Sequence, residues 1–204
     1  MTDTRSETIA RLDAWLERTA DERLADYVDF LRIPTIGTLS ENRDDMRRGA
    51  QFLVDRMNGM GITAEVSETG GHPIVYGEWL GAPGAPTVVV YGHYDVQPVD
   101  PLDLWESPPF EATVRDGEIY ARGAADDKGQ VFMHFKAIEA HLKQNGKLPV
   151  NMKVLLEGEE EVGSKNLDDY VKANQEQLKA DVVVISDSPM FDRGIPSICY
   201  GLRG

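Results

Sequence analysis

Four short stretches concentrate side chains able to hold a cation or move a proton. In GHYD, His93 and Asp95 stand two apart. Extended backbone turns both side chains the same way, which suits a metal-bound imidazole whose surroundings a carboxylate fixes. A His–Asp hydrogen bond that merely closes a strand end is the plain alternative. In RGAADDKG, residues 122–129, Asp126 and Asp127 open a helical pattern; a helix N-terminus answering its own macrodipole explains such a pair equally simply. EGEEEVGS carries Glu157, Glu159, Glu160 and Glu161. A solvated acidic loop is the simple reading there, and it fits Glu157 and Glu159. Crowded carboxylates repel, however, and a divalent cation relieves the repulsion. Neighbours in a strand face opposite sides, so Glu160 and Glu161 serve one site only if the chain bends there, which Gly163 would aid. Asp187 closes the set.

The elements that must position these groups are legible from periodicity. Ile9, Leu12 and Leu16 mark a first helix. Leu24, Tyr27, Val28 and Leu31 repeat at i, i+3, i+4, i+7 and predict a second, stopped before Pro34. Met46, Ala50, Leu53, Val54 and Met57 predict a third, ending near Gly59 and Gly61. Strand-like runs follow at residues 73–79, 87–91, 150–156 and 181–186, and ATVRDGEIYA reads as a tight hairpin about Asp116-Gly117. Val131, Phe135, Ile138 and Leu142 form a helical stripe closed by Asn145-Gly146, and Leu167 and Val171 begin another after Ser164. Strands alternating with helices predict an α/β fold with a largely parallel sheet. The apolar run VVVI predicts a strand covered on both faces. Ligands of open α/β sheets bind beyond the carboxyl ends of the strands. Three of these runs deliver His93 and Asp95, the glutamate cluster, and Asp187 to that rim.

Composition narrows the function. The chain has 204 residues, 41% hydrophobic and 27% charged, an ordinary globular balance for one domain with a core. Its 35 acidic against 21 basic residues give a net charge of -14. That sign opposes nucleic acid and anionic membrane as partners and favours cations. The single cysteine, Cys199, excludes an internal disulfide and fits a reducing compartment. No apolar run approaches membrane-spanning length and the N-terminus shows no signal-like apolar stretch. The expectation is a cytoplasmic protein.

In this order and at these separations, GHYDVQP, RGAADDKG, LEGEEEVGS and ISD resemble the M20 family of metallopeptidases. The likeness is greatest to its dipeptidase branch of cytosolic non-specific dipeptidases and carnosinase-like enzymes. It also takes in WESPPFEATVRDGEIYARG and the closing PSICYGLRG. The resemblance implies a three-layer αβα, zinc-peptidase-like catalytic domain with a largely parallel mixed sheet and two divalent metal ions, usually zinc, in some members manganese or cobalt. By position, His93 would bind one ion with Asp187 completing its shell, and Asp126 would bridge the two. Glu161 would bind the second, Glu160 would be the general base, and Asp95 would support His93. A cis peptide between Asp126 and Asp127 is also implied.

Family members are about twice this length, so residues 1–204 correspond to the N-terminal portion of the catalytic domain. The lid domain, the C-terminal catalytic segment and one histidine ligand would lie elsewhere. The isolated chain is then expected to be inactive and the full-length protein to be a homodimer. His134 and His141, seven apart on one helix, and His72 in GGHP read as structural. Lys128 reads as a countercharge to the acidic pair, Cys199 as a small buried hydrophobe, and Trp105, Pro108, Pro109 and Phe110 as cover for the hairpin. The leading expectation is a dipeptidase acting on small peptides. The alternatives are an amidohydrolase of N-acyl amino acids, a desuccinylase or a carboxypeptidase of the same mechanism, a non-catalytic metal-binding fragment, or a structural domain with solvated acids.

Overall fold

The computed structural model describes residues 5–199 and 201; Tyr200 and residues 202–204 of the closing PSICYGLRG lie outside them. Two helices, α1 (Arg5–Arg18) and α2 (Ala20–Leu31), lead into α3 (Arg43–Met60). The chain then alternates through β1 (Thr63–Ser67), β2 (Ile74–Trp79), β3 (Thr87–His93), β4 (Thr113–Arg115), β5 (Glu118–Tyr120), α4 (Lys128–Asn145) and β6 (Asn151–Glu157). Two short helices, α5 (Leu167–Ala173) and α6 (Gln175–Leu178), precede β7 (Val182–Ile185).

Five strands form one sheet in the order β1-β2-β6-β3-β7. The sheet is mixed, as expected. β3 lies parallel to β6 and to β7, whereas β2 joins β6 antiparallel and β1 joins β2 antiparallel. β1 has no counterpart among the sequence-predicted strands, because three of its five residues, Thr63, Glu65 and Ser67, are polar. The hairpin falls where Asp116-Gly117 predicts it, both residues having positive φ (52° and 79°), the requirement of a tight type I′ turn. Gly146 (φ 69°) ends α4 in the left-handed conformation that its sequence position predicts.

Alternation along the central strands builds the three layers. On β6, Val154 and Leu156 join α2, α3 and α4 in the main core with Phe30, Leu53, Met57, Phe135 and Ile138. Leu155 faces the other way, with Ile74 and Val89, onto Leu167, Tyr170, Val171 and Leu178 of α5 and α6. Each fully buried large side chain of this kind contributes about 1.5–3 kcal/mol of hydrophobic burial.

β7 departs from expectation. VVVI is not covered on both faces: Val182, Val183 and Ile185 are exposed. Among the described residues β7 pairs with β3 alone and ends the sheet, so its apolar character does not report burial here. Cys199 is likewise exposed rather than buried.

Candidate metal centre

β3 ends at His93, whose register partner on β6 is Glu157, and β7 ends two residues before Asp187. The parallel trio β6-β3-β7 therefore delivers its C-terminal residues to one rim. His93 is fully buried. Its Nε2 lies 3.1 Å from Asp126 Oδ1, 3.6 Å from Asp187 Oδ2 and 4.0 Å from Glu160 Oε2. Ligand atoms of His93, Glu160 and Asp187 all fall within 4.8 Å of one another. Asp126 touches the imidazole without joining that three-way cluster.

The other ring nitrogen is held from behind. His93 Nδ1 lies 3.0 Å from the Asp95 carbonyl oxygen and 3.3 Å from Asp95 Oδ1. A carbonyl only accepts, so Nδ1 carries the proton and Nε2 is the nitrogen turned toward the carboxylates. Burial opposes the charged imidazolium, but the hydrogen bond and charge of Asp95, with Asp127 and Glu160 nearby, outweigh it and raise the His93 pKa to about 10.

Asp95, fully buried, does more than support His93. Its Oδ1 and Oδ2 accept the backbone N–H groups of Glu160 (3.2 Å) and Glu161 (3.1 Å). These amides start a 3-10 turn, Glu160–Val162, which Gly163 closes at φ 90°. The chain thus leaves extended geometry where both glutamates must approach one site. Their side chains still part: Glu160 faces His93, whereas the Glu161 carboxylate accepts from Gln97 Nε2 at 2.6 Å.

Several sequence expectations are corrected. Glu157 and Glu159 are not solvated; both are buried. Glu157 accepts from the Tyr91 hydroxyl and from Ser164 Oγ at 2.8 Å. Glu159 accepts from the backbone N–H of His72 and of Asn166 and from Asn166 Nδ2. The acidic pair does not serve as a helix cap either. Asp127 stands at the α4 N-cap with no side-chain capping bond; its Oδ2 instead accepts the His93 backbone N–H at 3.1 Å. Burial raises the Asp127 carboxyl to about 7, against the lowering effect of that bond. Gly92 permits this approach, since a Cβ there would lie 2.6 Å from Asp127 Oδ2. Lys128 is no countercharge to the pair. It is fully buried, its Nζ donating to the carbonyls of Phe30 and Ile33, and burial lowers its pKa to about 7.

The remaining histidines keep structural partners. His72 Nε2 meets the Gly37 carbonyl, His141 meets Asn145, and His134 Nε2 meets Ser186 Oγ at 2.7 Å, one residue before Asp187. Trp105 donates to the Val99 carbonyl beneath Arg122. With Arg115 and Tyr120 it lines a cleft of about 700 Å³ whose wall includes Ala124 and Ala125. The peptide between Asp126 and Asp127 is cis. Asp127 and Gln97 sit inside the recognised motifs, yet their roles here depend on partners far along the chain.

One imidazole nitrogen and a group of carboxylate oxygens at the sheet rim form a donor set that fits zinc, manganese or cobalt. An αβα domain with a mixed sheet and this set at its carboxyl rim has the architecture of a metallopeptidase catalytic domain. Residues 89–199 match the model of peptidase family M20/M25/M40, and the chain belongs to that family.

Peptidases are prominent among the relatives it resembles. The Cys-Gly metallodipeptidase dug1 of Schizosaccharomyces pombe is 35% identical over 202 residues, covering 93% of this chain and 42% of that protein. The crystal structure of human carnosine dipeptidase 1 superposes with a TM-score of 0.83 at 29% identity, over 88% of this chain and 41% of that one. The M20 family metallo-carboxypeptidase Sso-CP2 from Sulfolobus solfataricus gives 0.76 at 42% identity, over 83% and 38%. The chain thus spans less than half the length of each. No helix among the described residues is long and apolar enough to cross a membrane.

Proposed function

We propose that the chain supplies the metal-binding half of a hydrolase that cleaves the peptide bond of dipeptides. The observation that carries this reading is the convergence of Asp126, Asp187 and Glu160 on His93 Nε2, the imidazole being fixed through Nδ1. His93, Asp126, Glu161 and Asp187 are the residues that hold two divalent ions, with zinc the first candidate and manganese or cobalt next. Bound ions supply Lewis acidity for the scissile carbonyl and acidify a water. Glu160, not needed for binding, takes a proton from the attacking water as its oxygen bonds to the carbonyl carbon. It returns that proton to the nitrogen as the C–N bond breaks. Asp95 orients His93 and both glutamates at once.

The dipeptidase names among the relatives support small peptides as substrates, and N-acyl amino acids are the competing class. The position of Glu161 on Gln97 favours a second assignment, with Glu160 as ligand and Glu161 as base. Glu160→Gln and Glu161→Gln separate the two. The base variant keeps its bound zinc and loses turnover, and the ligand variant loses zinc. Metal content is read on this chain, and turnover on dipeptides and N-acyl amino acids, with zinc or manganese, on any longer product of its gene, the isolated chain being expected to be inactive. Zinc binding that is absent from the purified chain, or present but unchanged by His93→Ala, would overturn the reading. Cytoplasmic location and a homodimeric full-length protein belong to the same proposal, open to fractionation and sedimentation.

A further inference from the structure

Asp126 sits on a loop, and its carboxylate is 62% exposed, so little holds the side chain itself. The backbone leading to it is another matter. The Tyr27 hydroxyl donates to the Ala124 carbonyl at 2.8 Å, and Gln130 Nε2 donates to the Ala125 carbonyl at 2.7 Å. Beyond Asp126, Lys128 sends its Nζ to the carbonyls of Ile33 (2.7 Å) and Phe30 (3.1 Å), over the Phe30 ring. Phe30 stands in the last turn of α2, at the negative end of the helix dipole, and Ile33 follows two residues beyond the helix. Both Lys128 contacts are donations, so they persist whether or not the amine carries its third proton. The loop is also closely packed. A Cβ at Gly129 would lie 2.2 Å from the Ala124 carbonyl oxygen and 2.9 Å from the Tyr27 hydroxyl. One at Gly123 would lie 3.2 Å from Lys128 Cδ.

We propose that Lys128 and Tyr27 are positioning residues for Asp126, with α2 fastening the Asp126–Asp127 loop on both sides so that its carboxylate meets His93 Nε2. This rests on the reading of Asp126 as a metal ligand. A rigid backing of this kind acts through geometry, and partners behind a ligand typically carry about ten- to a hundred-fold in metal affinity.

The sign of the effect identifies the mechanism. When its amine is charged, Lys128 is a cation two residues from Asp126, so if it acted only by charge, its removal would tighten binding of a dication. If it acts as a fastening, removal weakens binding. Zinc affinity, and the visible absorption of the cobalt(II)-loaded protein, are measured for wild type, Lys128→Met and Tyr27→Phe. Leu167→Ala, on the opposite sheet face, serves as a control for general loss of stability. The expected result is about ten-fold weaker zinc binding in Lys128→Met, and a several-fold loss in Tyr27→Phe, which keeps its ring stacked on Phe132. The cobalt spectrum is expected to change in both and to stay unaltered in Leu167→Ala. Should Lys128→Met fail to fold, Tyr27→Phe decides. Unchanged or tighter binding in folded variants overturns the fastening while leaving the metal site standing. No metal binding by wild type overturns both.

Discussion

The carboxylate of Asp95 accepts the backbone N–H of Glu160 at 3.2 Å while standing 3.3 Å from His93 Nδ1. One buried side chain therefore couples the end of β3 to the turn after β6. Asp95→Asn replaces one acceptor by an NH₂ group that opposes either the Glu160 or the Glu161 amide. An amide left unsatisfied costs about 1–3 kcal/mol. The expected outcome is a stability loss of roughly that size together with weaker zinc binding, read by denaturant unfolding and metal titration.

Metal uptake should expel a proton. With the His93 pKa at about 10, the metal-free imidazole is protonated near neutrality, and a ligating Nε2 must be deprotonated. Zinc affinity is expected to climb with pH, by up to about ten-fold per unit from His93 alone. Calorimetric titration in two buffers of different ionisation enthalpy counts the released proton, and His93→Ala should abolish both binding and release.

Glu157, the register partner of His93 on β6, offers a second pH test. Burial raises its carboxyl above the free glutamate value of 4.5, although Tyr91 and Ser164 partly counter this. A raised folded-state pKa means the native chain holds the proton longer than the unfolded one. The resulting stability is fully present below the free value and is lost as pH rises through the folded one. Wild type should therefore lose stability relative to Glu157→Gln as pH rises above 4.5. A constant difference in unfolding free energy would count against the shift.

Gly92 separates two crowded groups. A Cβ there would lie 2.6 Å from Asp127 Oδ2 and 2.8 Å from Val131 Cγ2, so Gly92→Ala must displace α4 or the Asp127 carboxylate. Overpacking of this kind costs about 1–3 kcal/mol. A lowered melting temperature is expected, with weakened zinc binding because the bond from the His93 amide to Asp127 is disturbed.

Much of the fold was readable because its cues are local. The Leu24–Tyr27–Val28–Leu31 repeat marks α2, Asn145-Gly146 ends α4, and Asp116-Gly117 turns the hairpin, each through periodicity or backbone preference within a few residues. His93, Asp126, Glu160 and Asp187 were legible as a set for a different reason, since their motifs recur in order. What stayed hidden is long-range. Nothing local distinguishes Glu157, turned into Tyr91 and Ser164, from Glu160 three residues later, turned toward His93.

The sequence by itself determined most of the helices and strands, β1 excepted, that strand ends carry the acids and the imidazole, and the family. Only the tertiary structure decided that β2 runs antiparallel to β6, that VVVI lies exposed at the sheet's end, and that Asp95 grips two amides. It alone sent Lys128 to the end of α2 rather than to its acidic neighbours. The physical reason is that Asp95 and Glu160 are 65 positions apart, and Lys128 and Phe30 are 98 apart. Hydrogen bonds across such separations form only between surfaces that core packing has already brought together.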